Sequence, residues 1–274
     1  MHGLLVMRRM RLFSLVVATG SLLTASTVHA QSASAPDSKR AAAFDRLDRT
    51  ARMLTAAVSC AIASGQARAD GLFGPIDSVG RRGQCLRTGE RTFGVFFTAD
   101  SAFTKALNVR VVDLRTRTRY SGAVDTAAIL AEARASRDGV TKGYSAYQRE
   151  KRPFAPLSIR TDGDSIEVWL LPAGVLMGTA PSVVGGERGY VYSPDGRTLA
   201  REIDAFEQFR PLAIPDSGQI DIISEQDDLP LVSELIATNR LHDHGRQVQI
   251  LTKAYSAHLV GAGPDALWVQ LRRR

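Results

Sequence analysis

The chain has 274 residues, 44% of them hydrophobic and 23% charged, which is length enough to bury most of its apolar surface in one or two cores. Its formal net charge of +7 overstates its basicity, because three of its 35 basic residues fall within the first thirty positions. The remainder carries 32 basic against 28 acidic residues, a net +4 that suits a mixed-charge surface and gives no reason to expect nucleic acid.

Those first thirty residues read as a cleavable secretory signal. Arg8, Arg9 and Arg11 form a positive opening, Leu12 to Leu23 is an apolar run, and Val28 to Ala30 supply compact residues before Gln31. The run is about a dozen residues, whereas a spanning helix needs roughly 20. Arg8-Arg9 hints at twin-arginine export without the rest of that signal, so ordinary secretion is the expectation. No later stretch reads as a transmembrane segment. The protein is expected to be periplasmic or secreted.

Residues 31–39, rich in Ser, Ala and Pro, read as a flexible N-terminus of the mature chain. Residues 40–85 read as a helical segment closed by a disulfide, and residues 86–274 as an α+β domain. Phe44, Leu47, Ala51, Leu54, Val58 and Ile62 draw one apolar stripe at helical spacing, with the helix ending near Gly65. Cys60 and Cys85 are the only cysteines, and in an oxidising compartment they most simply pair, a bridge worth about 3 kcal/mol in the loop-entropy picture. Neither has a neighbouring His or a nucleophile motif.

Thr92 to Thr98 and Val109 to Tyr120 read as strands, the second placing Arg115, Arg117 and Arg119 on one face. That stripe suits an edge guarded against aggregation, or an anionic envelope component. Asp125 caps a helix from Thr126 to Arg137 that resumes beyond Gly139 and Gly143. Two hairpins follow, Leu157–Arg160 with Ser165–Leu171 and Tyr190–Tyr192 with Thr198–Ile203, separated by a loop from Pro172 to Gly186. The turn Tyr192-Ser193-Pro194-Asp195-Gly196-Arg197 looks like one from a β-propeller blade, but it occurs once, so a plain hairpin turn is the reading. A short strand at Ile220–Ser224, a helix at Leu229–Leu241 capped by Asp227 or Asp228, and a strand pair at Val248–Val260 and Leu267–Leu271 complete the chain. The fold class is α+β with a mostly antiparallel sheet and about three helices.

Chemistry is sparse. His242-Asp243-His244 is the one metal-like cluster, although at a helix C-terminus its histidines simply suit the dipole. Glu225, Asp227 and Asp228 form an acidic patch suited to acid–base work or a helix start. His258 falls on a strand, half-exposed beside Ser256. No cofactor motif is present, and without the signal only these three histidines remain.

From Asp125 to Leu271 the predicted element order resembles the JAB/MPN metallopeptidase fold. In that family a strand ends in a His-x-His pair and a Pro-Ser-x-x-Asp element opens the next helix, completing a zinc site. Ile222-Ile223-Ser224-Glu225 and Leu229-Pro230-Leu231-Val232-Ser233-Glu234 occupy the comparable stretch. Pro230 and Ser233 match by type, while the His pair and the Asp ligand are missing. The resemblance implies a member without the metal, to which peptidase activity is not carried over.

The sequence therefore points to an exported, non-catalytic binding or envelope-associated protein. The alternative is a hydrolase, metal-dependent or a degenerate relative of metallopeptidases, that assembles Glu225, Asp227 and Asp228 with His242 and His244.

Overall fold

A computed structural model of the chain describes residues 37–74, 82–88, 91–150, 153–161, 163–176, 180–203, 208–261 and 266–273. The proposed signal, residues 1–30, lies outside them. The described residues form an α+β structure, and none of their helices is long and apolar enough to cross a membrane.

Helix α1 (Ser38–Ala69) starts where the Asp37 side chain accepts the Arg40 N–H at 2.8 Å. Phe44, Ala51, Leu54 and Val58 are buried as their spacing predicts. The helix does not stop at Gly65. Ser64 and Ala67 are buried beside the first sheet, and that packing outweighs the roughly 1 kcal/mol that glycine costs a helix interior. Ile62, expected on the apolar stripe, is instead 64% exposed.

Strands β1 (Arg82–Thr88), β2 (Arg91–Ala99), β3 (Ala106–Asp113) and β4 (Thr118–Arg119) form an antiparallel meander. The predicted strand from Val109 to Tyr120 is thus two strands and a turn. Asp113 breaks it, because its Oδ1 accepts the N–H groups of Arg115 at 3.0 Å and Thr116 at 3.2 Å. Arg115, Arg117 and Arg119 consequently do not form a stripe: Arg115 and Arg117 sit in the turn, Arg117 at φ 54°, and only Arg119 lies on a strand.

Helix α2 (Thr126–Glu150) is capped by Asp125, whose Oδ1 accepts the Ala128 N–H at 3.0 Å. It runs unbroken through Gly139 and Gly143, and the structure shows why glycine stands there. A Cβ at Gly143 would meet Leu170 at 2.0 Å, and one at Gly139 would meet Val168 at 2.9 Å. The two glycines let the helix lie close on a second antiparallel sheet, ordered β5-β6-β8-β9, of β5 (Phe154–Arg160), β6 (Ile166–Pro172), β8 (Arg188–Tyr192) and β9 (Leu199–Ile203). The expected loop between the hairpins contains a short helix α3 (Ala173–Leu176) and strand β7 (Val183–Gly185), which pairs with β10 (Phe209–Pro211).

A third sheet takes the order β11 (Ile220–Ile223), β12 (Val248–Leu251), β13 (Tyr255–Val260), β14 (Leu267–Arg272). Here the single predicted strand Val248–Val260 folds back at Thr252, whose hydroxyl oxygen accepts the Tyr255 N–H at 2.9 Å. Strands β11 and β12 run parallel, linked through helix α4 (Val232–Asp243). The largest core cluster joins Phe44 and Leu54 of α1 to Trp169 and Leu171 of β6, Leu235 of α4 and Ile250 of β12. The segments 40–85 and 86–274 therefore share one core.

Candidate ligand cavity

The residues singled out in the sequence do not converge. His242 Nε2 lies 2.9 Å from the Gly261 carbonyl oxygen, and His244 follows as the residue that ends α4. Glu225, Asp227 and Asp228 precede the other end of that twelve-residue helix, about 18 Å away at 1.5 Å per residue. Asp227 accepts from Lys253 Nζ at 2.7 Å, and the carbonyl of Asp228 accepts from Arg40. His258 sits half-buried in β13 between Gln249 and Val269. Arg117 pairs with Asp70, and Arg119 donates to the Leu72 carbonyl at 2.8 Å. Among the described residues no three His, Cys, Asp or Glu side chains gather as a metal site would require. Cys60 and Cys85 are joined as a disulfide across a Cα separation of 6.1 Å.

Neither Asp227 nor Asp228 caps α4. The cap comes from Glu187, 45 residues upstream of the helix, in the link between β7 and β8. Its carboxylate accepts the N–H of Val232 at 2.8 Å and that of Ser233 at 3.1 Å. Glu234, fully buried, accepts the Leu231 N–H at 2.9 Å and pairs with Arg210. Burial pushes the Glu187 carboxyl up to about 7, against the helix donors that favour its charge, and raises Glu234 as well. Both oxygens of Glu187 are thus taken up by the start of α4, and Glu234 is held between the Leu231 N–H and Arg210.

A second buried carboxyl is placed differently. Helix α2 is wedged between two sheets: Ile129, Leu130 and Ala133 pack against the first, and Ala131 and Ala135 against the second. The turn predicted at Pro194-Asp195-Gly196 secures it there. The turn is a plain hairpin, with the Ser193 N–H bonded to the Thr198 carbonyl at 2.9 Å. Arg134 donates to the Asp195 carbonyl at 3.0 and 2.7 Å, and Gly196, at φ 71°, lies so close that a Cβ would stand 1.9 Å from the Ala131 oxygen. Held in this way, α2 directs Glu132 into a half-open cavity of about 580 Å³ bounded by α1, the β1–β2 hairpin, the start of α2 and β5.

Met53, Ala57, Leu86, Phe93, Val124 and Ile159 give this cavity an apolar wall. The disulfide forms part of it, and Cys85 also faces an adjoining hollow of about 520 Å³. Glu132 is only 7% exposed and lies beside Ser158, whose hydroxyl favours the charged carboxylate; Arg160 Nε stands 3.8 Å away. Burial pushes its carboxyl up to about 7, with Arg160 opposing the shift. Across the cavity, Arg91 donates Nε and Nη2 to Asp113 Oδ2 at 3.0 and 2.6 Å, which holds the Asp113 carboxyl below its usual range. The same guanidinium lies 4.9 Å from the Phe93 ring and 5.4 Å from that of Tyr120. An apolar wall with a few converging polar groups, in a volume between about 300 and 1,000 Å³, is what small-molecule sites share.

Sequence reasoning missed Glu132 because an acid in a helix ordinarily faces water. The available signal was the alanine at 127, 128, 131, 133 and 135, which leaves that stretch without a broad polar face. No family model matches the chain, and no curated protein or solved structure matches it.

Proposed function

We propose that this is an exported binding protein whose ligand site is the cavity beside Glu132. The observation that carries the reading is the meeting of an apolar wall with Glu132, Arg160 and Arg91 in one half-open cavity of about 580 Å³. The Cys60–Cys85 bridge supports an oxidising compartment and hence export. A relation to a metal-free JAB/MPN fold rests on element order, and no activity is carried over from it.

The test is titration with a neutral apolar fluorophore, N-phenylnaphthylamine. Saturable binding of one molecule per chain is expected, and Ala56→Phe, which fills the cavity from a half-buried position, should abolish it while leaving the thermal midpoint within a few degrees. Non-saturable emission, or binding that survives Ala56→Phe, would sink the reading.

One observation favours a second reading. A carboxyl near pKa 7 beside a hydroxyl, in a cleft, is suited to general acid–base catalysis. A hydrolase alternative therefore moves from Glu225, Asp227, Asp228 and the histidines to Glu132 and Ser158. Turnover of ester or glycoside substrates that Glu132→Gln abolishes would establish it in place of simple binding.

A further inference from the structure

The charges around the cavity do not cancel. Five charged side chains line the wall: Arg87, Arg91, Asp125, Glu132 and Arg160. Arg91 is engaged by Asp113, and Arg160 faces Glu132. Asp125 caps α2, where the positive end of the helix offsets its charge. Arg87, at the exposed mouth on β1, has no ion pair among the described residues. Above about pH 7, where Glu132 is ionised, the uncompensated charge of the cavity wall is therefore positive and belongs to the exposed Arg87. Met53, Leu86 and Ile159 also line the cavity and offer apolar surface and no counter-charge.

We infer that the cavity takes an amphipathic anion, its apolar chain or ring lying against Met53, Leu86 and Ile159 and its carboxylate or phosphate bound at Arg87. This rests on the cavity being a ligand site. Guanidinium pairs in fork geometry with either head group, and an apolar body displaces water from the wall. A cationic ligand would meet the like charges of Arg87 and Arg91. A neutral ligand would gain no charge-assisted pair from Arg87.

Calorimetric titration of the disulfide-bonded protein with decanoate, decyl phosphate, decanol and decylamine tests it. The better anion should bind about tenfold more tightly than decanol, the gain of one partly solvated charge-assisted pair, with decylamine weakest. Raising the salt should narrow that gap, because the pair is exposed. Arg87→Met, at an exposed position, should bring anion and alcohol to within about threefold while leaving the decanol affinity unchanged. Whichever anion binds more tightly identifies the head group as carboxylate or phosphate. Decanol binding as tightly as both anions, decylamine binding best, or an anion preference that survives Arg87→Met would overturn the inference. If all four fail while N-phenylnaphthylamine binds, the head-group inference falls alone; if the fluorophore fails too, the cavity reading falls with it.

Discussion

Glu132 and Glu187 are both buried carboxyls pushed up to about 7 by loss of water, yet they do opposite work. Glu187 spends both oxygens on the N–H groups of Val232 and Ser233, and its neighbour Glu234 is closed off by Arg210. Glu132 stands at the wall of a cavity with Arg160 at 3.8 Å, beyond hydrogen-bonding distance. A raised pKa therefore does not by itself mark a site. What separates the two is whether the polar atoms around the acid are consumed by the fold.

Removal of the counter-charge should separate the two acids most. Arg210→Met leaves Glu234 buried and unpaired, and should cost about 3–5 kcal/mol in urea unfolding. Arg160→Met leaves Glu132 free to take a proton or meet water in the cavity, and should cost about 1 kcal/mol. Equal losses would show that the fold holds the two acids alike.

Acid titration comes next. Either carboxyl, raised from 4.5 to about 7, holds a proton in the folded state that the unfolded chain has already released. Each group's own contribution to stability is therefore fully present below about pH 4.5 and is lost as pH rises through about 7, by roughly 3 kcal/mol for each. Glu187→Gln and Glu132→Gln should each flatten that decline. Only Glu132→Gln should also change the pH dependence of ligand affinity, measured between pH 5 and 8.

Backbone approach gives a smaller effect. Gly143→Ala presses a methyl on the flexible end of Leu170, and should cost about 1–2 kcal/mol after the gain in helix propensity. Because α2 carries Glu132, the same change should weaken fluorophore binding, whereas Glu187→Gln should not. The smallest effect belongs to Asp227→Asn. It breaks an exposed pair with Lys253 and should leave the urea unfolding midpoint unchanged, with no effect on binding.

Local patterns were readable where one neighbour decides the outcome. The Asp125 cap, the hairpin at Pro194-Asp195-Gly196 and the buried stripe of α1 through Val58 all appear where the residues place them. The failures share a cause. Asp113 and Thr252 each turn a predicted strand back on itself through a side chain bonded to nearby backbone, a competition that alternation alone does not reveal. Asp227 and Asp228 looked like the cap of α4, but the donors of that helix are met by a residue 45 positions earlier.

The amino-acid order by itself determined the α+β class, most of the strands and helices, and the pairing of the only two cysteines, because each depends on periodicity or on the absence of another partner. The tertiary structure alone decided which acids matter. Glu132 and Glu187 look like ordinary surface carboxylates in the sequence, and only the packing of α2 between two sheets, and of α4 against the β7–β8 link, takes them out of water. Desolvation depends on what surrounds a side chain in three dimensions, so it is set when the elements meet.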